Sequence, residues 1–271
     1  MAYHNLIDQH VHTDNSFDGN HNVMFICEKA IENNMRGITF TDHCDIDSGM
    51  DLRRITVSSY VETVRARSAF VGRLVVGTGI ELGQPIYNIP LSEKIINSFN
   101  YDFVLGSIHN LRDKTDFYFL DYSKYSDDEI KELVEEYFKT MYELVEWNGF
   151  DCLAHLTYPL RYIIGESKRD LNIMDFRDII SDILKLLAKN EKALEVNTSG
   201  LRQPIGETLP NSYFVKWFKD LGGKYITVGS DAHYATDVGK GFDKGLKMVY
   251  DCGFRNIALY ENREPILIPI E

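Results

Sequence analysis

Eight histidines stand at positions 4, 10, 12, 21, 43, 109, 155 and 233, and six of them fall at or just past the end of a short apolar run. The first run ends in Asp8-Gln9-His10-Val11-His12, the second in Thr41-Asp42-His43 and the third in Gly79-Ile80-Glu81. Ser107-Ile108-His109, Ala154-His155 and Ser230-Asp231-Ala232-His233 follow the same rule. In an extended strand, residues two apart point to the same side, so His10 and His12 converge on one point, as do Asp231 and His233. Neutral imidazole and carboxylate are the donors that zinc, manganese or iron takes. One His-x-His pair is a weak signal; separate segments that each end in the same donor types make a metal centre the expectation. His4 and His21 lie outside the pattern and read as ordinary surface or core residues.

The elements that must position these donors alternate. Apolar runs at 6–10, 37–41, 74–80, 103–108, 152–156, 193–197, 225–229 and 257–260 predict strands. Amphipathic stretches at 23–34, 57–70, 92–99, 127–147, 174–189, 210–221 and 239–251 predict helices. Ser126 followed by three acids makes the helix from 127 the clearest of these. Several strand runs are apolar without alternation, as expected of parallel strands covered on both faces. The pattern predicts an α/β chain folded as one TIM-like barrel over residues 1–271, with no linker or repeat. No GxGxxG or GxxxxGK[ST] loop follows the first strand, which disfavours an open nucleotide-binding sheet. A barrel opens all strand C-termini on one face, where the donors then gather. Residues 266–271 are expected to cover the opposite end.

Composition narrows the class. Hydrophobic residues make up 44%, charged residues 26%, and 41 acids against 29 Lys and Arg leave a net charge of −12. That balance argues against a nucleic-acid groove or an anionic membrane surface as partner. No run approaches the roughly 18 apolar residues of a membrane span, and the first residues do not form a signal peptide. Cys27, Cys44, Cys152 and Cys252 form no CxxC pair and read as reduced, buried thiols of a cytoplasmic protein.

Taken in order, DxHxH, TDH, GIE, SIH, AH and SDAH resemble the motif set of the polymerase and histidinol phosphatase (PHP) superfamily, from Asp8 to at least His233. The segment Glu195-Val196-Asn197-Thr198-Ser199-Gly200-Leu201-Arg202 is similar to the single-domain histidinol-phosphatase branch. The resemblance implies a distorted (β/α)7 barrel with three divalent transition-metal ions (zinc, iron or manganese) at the strand C-termini. It implies one ion held by His10, His12, Glu81 and Asp231, and a second by Glu81, His109 and His155. The third falls to Asp18, His43 and His233; Asp18 departs from relatives that carry His there. Three divalent ions against Glu81, Asp231 and Asp18 leave about three positive charges, or about two once a bound hydroxide is counted, a match for a small phosphate monoester dianion.

The implied activity is hydrolysis of L-histidinol phosphate to L-histidinol and phosphate. The mechanism the resemblance implies is attack on phosphorus by a metal-bridging hydroxide, with Asp231 and His233 at the reacting centre. Asp231 or a metal-held water is the candidate acid. Phosphate orientation calls for Arg, and Arg161 and Arg202 follow strands on the active rim, with Ser199 and Asn197 as further hydrogen-bond partners. Arg112 and Phe117-Tyr118-Phe119 are placed to shape the cleft. Asp8 and Asp42, beside the donor histidines, are expected to accept ring N–H groups and set tautomers. The rival readings are a phosphoesterase acting on nucleotides or phosphotyrosine, and a metal-holding scaffold without turnover.

Overall fold

In the computed structural model, which describes residues 3–270, the strands form in the expected order. They are β1 (Ile7–Val11), β2 (Gly37–Phe40), β3 (His43–Asp45), β4 (Val75–Gly83), β5 (Phe103–Ser107), β6 (Cys152–Leu153), β7 (Ala193–Asn197) and β8 (Ile226–Gly229). All pair in parallel, in the order β1-β2-β4-β5-β6-β7-β8, with β3 alongside the upper half of β4. The two ends meet where His12 N–H donates to Ala232 O (2.9 Å) and Asp231 N–H to His10 O (2.8 Å), so the sheet nearly closes. The result is the distorted TIM-like barrel that the alternation predicts. Met1, Ala2 and Glu271, the ends of the predicted 1–271 unit, lie outside the described residues.

Helices α1 (Val23–Glu32), α2 (Leu52–Ala69), α3 (Ile89–Ile96), α4 (Asp127–Trp147), α5 (Arg177–Lys189), α6 (Ser212–Asp220) and α7 (Phe242–Asp251) fall in the connections. Helix α4 has the bounds its sequence predicts. Ser126 and Glu129 form a reciprocal capping box, three acids occupy the positive N-terminal turn, and Asn148 leaves the helix at φ 60°. Its apolar stripe, Ile130, Leu133, Tyr137, Phe138, Met141 and Leu144, is fully buried.

Two departures from the expected elements matter. Strand β3 has no apolar run to announce it: His-Cys-Asp is extended because His43, Cys44 and Asp45 pair with Glu81, Leu82 and Gly83 of β4. The eighth predicted run is not a barrel strand. It forms β9 (Asn256–Glu261), which pairs antiparallel with β10 (Glu264–Pro269) through a two-residue turn, Asn262 and Arg263, both at positive φ. With β8 already joined to β1, no parallel edge remains for it.

Strand β9 instead plugs the N-terminal end of the barrel. Gln9 brackets it with both amide atoms, donating to Ala258 O and accepting from Tyr260 N–H. Ala258 and Tyr260 pack with Phe103, Leu105, Cys152, Ala154 and Ala193 on the interior side. Asp102 and Asp151, just before β5 and β6, receive the turn: Asp102 accepts from Asn262 N–H, and the Arg263 guanidinium clamps both oxygens of Asp151. The hairpin as a whole closes the bottom, while β10 itself is mostly exposed. Arg263→Ala leaves the buried Asp151 carboxylate without its partner and is expected to cost about 3 kcal/mol. Urea unfolding of the variant measures this loss.

Candidate metal centre

Glu81, at the upper part of β4, is fully buried and faces five imidazoles. Its Oε1 lies 3.1 Å from His109 Nε2 and 2.9 Å from His155 Nε2. Its Oε2 lies 3.2 Å from His10 Nε2, 3.5 Å from His12 Nε2 and 3.0 Å from His43 Nδ1. Asp231 closes the other side, with Oδ1 3.6 Å from His10 Nε2 and 3.4 Å from His12 Nε2. Asp18 comes from the β1–α1 loop, with Oδ2 3.1 Å from His233 Nε2 and Oδ1 3.8 Å from His43 Nε2. All nine residues named from the sequence as candidate ligands are therefore brought together.

Four rings present Nδ1 to an acceptor and Nε2 to the centre. His10 Nδ1 meets Glu195 Oε1 at 2.6 Å and His109 Nδ1 meets Asp45 Oδ1 at 3.0 Å. His12 Nδ1 lies 3.3 Å from Ser16 Oγ, and His233 Nδ1 3.1 Å from the Asp231 carbonyl. Sequence reasoning missed Glu195, Asp45 and Ser16 in this role. Glu195 alternates with His-bearing positions only once the barrel closes, and Asp45 sits on the strand that no pattern announced.

The two acids expected to orient rings sit elsewhere. Asp8 accepts from Ser230 N–H and Oγ and from Gly239 N–H, tying β1 to the β8–α7 loop without touching an imidazole. Asp42 accepts from Thr13 N–H, Thr13 Oγ1, Ser16 Oγ and Ser59 Oγ, and reaches His12 only through Ser16. Neither carboxylate is left for a ring: Asp8 is taken up by the β8–α7 loop, and Asp42 by Thr13, Ser16 and Ser59.

Electrostatics follows from this crowding. Burial opposes the charge of Glu81, but the fields of His10, His109 and His43 hold its carboxyl well below the usual carboxylate range. Asp231 is held low in the same way, burial being outweighed by His10, a hydrogen bond from His12, His233 and Arg161. Burial also opposes charge on Asp18, yet His233 and His43 bring it to about 2. His10 is raised well above the ordinary imidazole range, burial being overcome by Glu195, Glu81 and Asp231. Glu81 and Asp45 likewise raise His109, and Glu81 lifts His43 to about 9. Burial keeps His12 and His155 low, His12 also through His233 and His43. The centre thus concentrates negative charge that takes up positive charge, as protons or as cations.

The donor geometry fits divalent transition ions. His10 and His12 bring their Nε2 atoms to 3.1 Å of each other, an approach two lone pairs tolerate only with a proton or cation between them. His10, His12 and Asp231 form one compact donor group, His10, Glu81 and His155 a second, and His12, His43 and His233 a third. His43, Asp45 and His109 form a fourth that shares residues with these. Backbone strain is spent at the same place, since Asp231 holds φ 54°. Gly229 is required beside it: a Cβ there collides with Glu195 Oε1 and His10 Cβ.

A cleft of about 600 Å³ opens over the centre. Arg161, in a π-helical turn (Arg161–Glu166) after β6, is buried and donates to Ser199 Oγ (3.2 Å) and Asp231 Oδ2 (3.4 Å). Its Nε and the Nη1 of Arg202 are buried with no hydrogen-bond partner among the described residues. Ser199 also lines the cleft, but Asn197 does not. Asn197 is fully buried, donating to Glu195 and Asp231 and accepting from Ser199, so it is a strut and not a substrate contact. Tyr118 and Phe119 line the cleft as expected, while Phe117 joins the core and Arg112 stacks on Tyr87 outside it.

The family model of the PHP domain matches residues 8–199, and the chain belongs to that family. It is 29% identical over 261 residues to a probable histidinol-phosphatase of Clostridium acetobutylicum, covering 95% of this chain and 98% of that one. It is equally 29% identical over 262 residues to the histidinol-phosphatase of Lactococcus lactis, covering 94% of each. The crystal structure of the histidinol phosphate phosphatase from Lactococcus lactis was solved with zinc, L-histidinol and phosphate. It matches with a TM-score of 0.81 at 26% identity, over 96% of this chain and 98% of that one.

Two outcomes test the centre. His43, held near 9 against an ordinary 6.5, contributes stability that is complete below about 6.5 and is lost as pH rises through 9. Melting temperatures of the chelator-stripped protein should therefore fall between pH 6.5 and 9, a decline that loading with zinc removes. Glu195→Gln weakens the anchor of His10 and is expected to lower metal affinity about 10- to 100-fold, read by competition with a chromophoric chelator.

Proposed function

We propose that this protein is a metal-dependent phosphomonoesterase that hydrolyses L-histidinol phosphate to L-histidinol and phosphate. The observation that carries the reading is the pairing of a nine-donor centre with two guanidinium groups, Arg161 and Arg202, that line the cleft above it. In our reading three divalent ions are held: by His10, His12, Glu81 and Asp231; by Glu81, His109 and His155; and by Asp18, His43 and His233. Zinc is the favoured ion, since it is present in the related structure from Lactococcus lactis. Such ions make water acidic enough to attack near neutral pH and offset charge on the phosphoryl oxygens.

The chain supplies orientation. Arg161 and Arg202 clamp phosphate oxygens, with Ser199 beside them. Asp231 enters the reaction ionised, so its carboxylate is placed to take the proton the nucleophile loses and return it to the leaving oxygen. His233 donates Nδ1–H to the Asp231 carbonyl, which leaves Nε2 for an ion. Asp116 and Asp237, with Tyr118, Phe119, Tyr158 and Tyr162, line the rest of the cleft. Acids and rings suit the ammonium and imidazole of histidinol better than a nucleotide's further phosphates. Among the described residues no helix is long and apolar enough to cross a membrane, and all four cysteines are free and buried. We place the enzyme in the cytoplasm, as one barrel unit acting on a small molecule.

Phosphate release by the metal-loaded protein from L-histidinol phosphate, AMP, a phosphotyrosine peptide and an aryl phosphate tests this. The expected result is kcat/KM of about 10⁴ M⁻¹s⁻¹ or more on histidinol phosphate alone, abolished in His10→Ala. Arg161→Ala should cost about 100-fold in kcat/KM, with little recovery in Arg161→Lys because one ammonium does not replace the fork. Activity confined to AMP or aryl phosphate sinks the substrate assignment; metal binding without turnover on any ester sinks the enzyme.

A further inference from the structure

Among the ring acceptors at the centre, Ser16 is the only neutral side chain, and its hydroxyl has one proton to give. Ser16 Oγ lies 2.7 Å from Asp42 Oδ1, 3.1 Å from the backbone N of His43 and 3.3 Å from His12 Nδ1. The backbone N–H can only donate. The carboxylate is the nearer and stronger acceptor, so the serine proton goes to Asp42. The remaining lone pair must then accept from His12, which requires the Nδ1–H tautomer and leaves the Nε2 lone pair aimed at the centre.

Asp42 is held for this role. Its two oxygens take four donors: Thr13 N–H at 2.6 Å, Thr13 Oγ1 at 2.8 Å, Ser16 Oγ at 2.7 Å and Ser59 Oγ at 2.6 Å. Thr13 Oγ1 in turn accepts from Asn15 N–H, so its own proton is free for Asp42. Ser16 is 5% exposed, Asp42 2% and Thr13 fully buried, so water does not compete for these bonds.

We infer that Asp42 and Ser16 form a positioning relay that locks His12 in its ion-binding tautomer and, through the His43 amide, fixes the position of a second donor. The relay replaces the direct carboxylate contact that His10 and His109 enjoy. It rests on the reading that His12 is a metal ligand.

The test uses the full chain, stripped and reloaded with zinc or cobalt. Ser16→Ala is expected to weaken the tightest-affected ion about 10- to 100-fold and to alter the cobalt absorption spectrum, with Ser16→Thr restoring both. Asp42→Ala should do the same with the hydroxyl present, because Ser16 then has no carboxylate to take its proton and is free to turn it toward His12 Nδ1. Nitrogen NMR of the zinc-loaded wild type should show His12 protonated at Nδ1, a readout independent of whether any variant folds. A wild type that loads metal with His12 protonated at Nε2, or a folded Ser16→Ala with unchanged affinity and spectrum, overturns the relay. A His12→Ala variant with unchanged metal content overturns instead the ligand reading beneath it.

Discussion

The structure depends on one buried carboxylate that its surroundings must keep charged. Glu81 is removed from water among imidazoles on both of its oxygens, and an isolated carboxylate in such a place would be several kcal/mol too costly to ionise. It stays ionised because positive charge is always at hand, as ring protons or as ions. Everything around it serves that condition. Strand β4 runs nine residues, at least four more than any other barrel strand, and carries Glu81 above the packed interior.

A second layer turns rings into ligands. Imidazole binds an ion best through one nitrogen when the other nitrogen's proton has an acceptor. Glu195, Asp45, Ser16 and the Asp231 carbonyl provide four such acceptors on four different segments. Close packing is the cost: the space Glu195 occupies exists because residue 229 is glycine, and the turn of Asp231 is strained. The two ends of the barrel divide the labour. The bottom is closed by a hairpin through Gln9, Asp102, Asp151 and Arg263, at the end of the barrel opposite the cleft.

Much of this was legible in the residues themselves. The alternation of runs predicts the barrel, Ser126 and the acids after it fix the start of α4, and the six strand-end motifs point to the donors that the fold gathers. The eighth run was misplaced because periodicity registers extended backbone and not its partner. Asn262-Arg263 is a weak turn signal beside Asn-Gly, so the reversal into β10 left little trace. Strand β3 left none, since its extension comes from pairing with β4.

The sequence by itself determined which residue types end the strands, and hence that a chain of net charge −12 builds a cation-binding rim. Only the tertiary structure decided what stands behind each donor. Asp8 and Asp42 are neighbours in sequence of the histidines they were expected to orient, yet Glu195, 185 residues away, is the one that holds His10. The reason is geometric: the acceptors of His10, His109 and His12 come from β7, β3 and the β1–α1 loop, and those segments meet the rings only when the barrel closes.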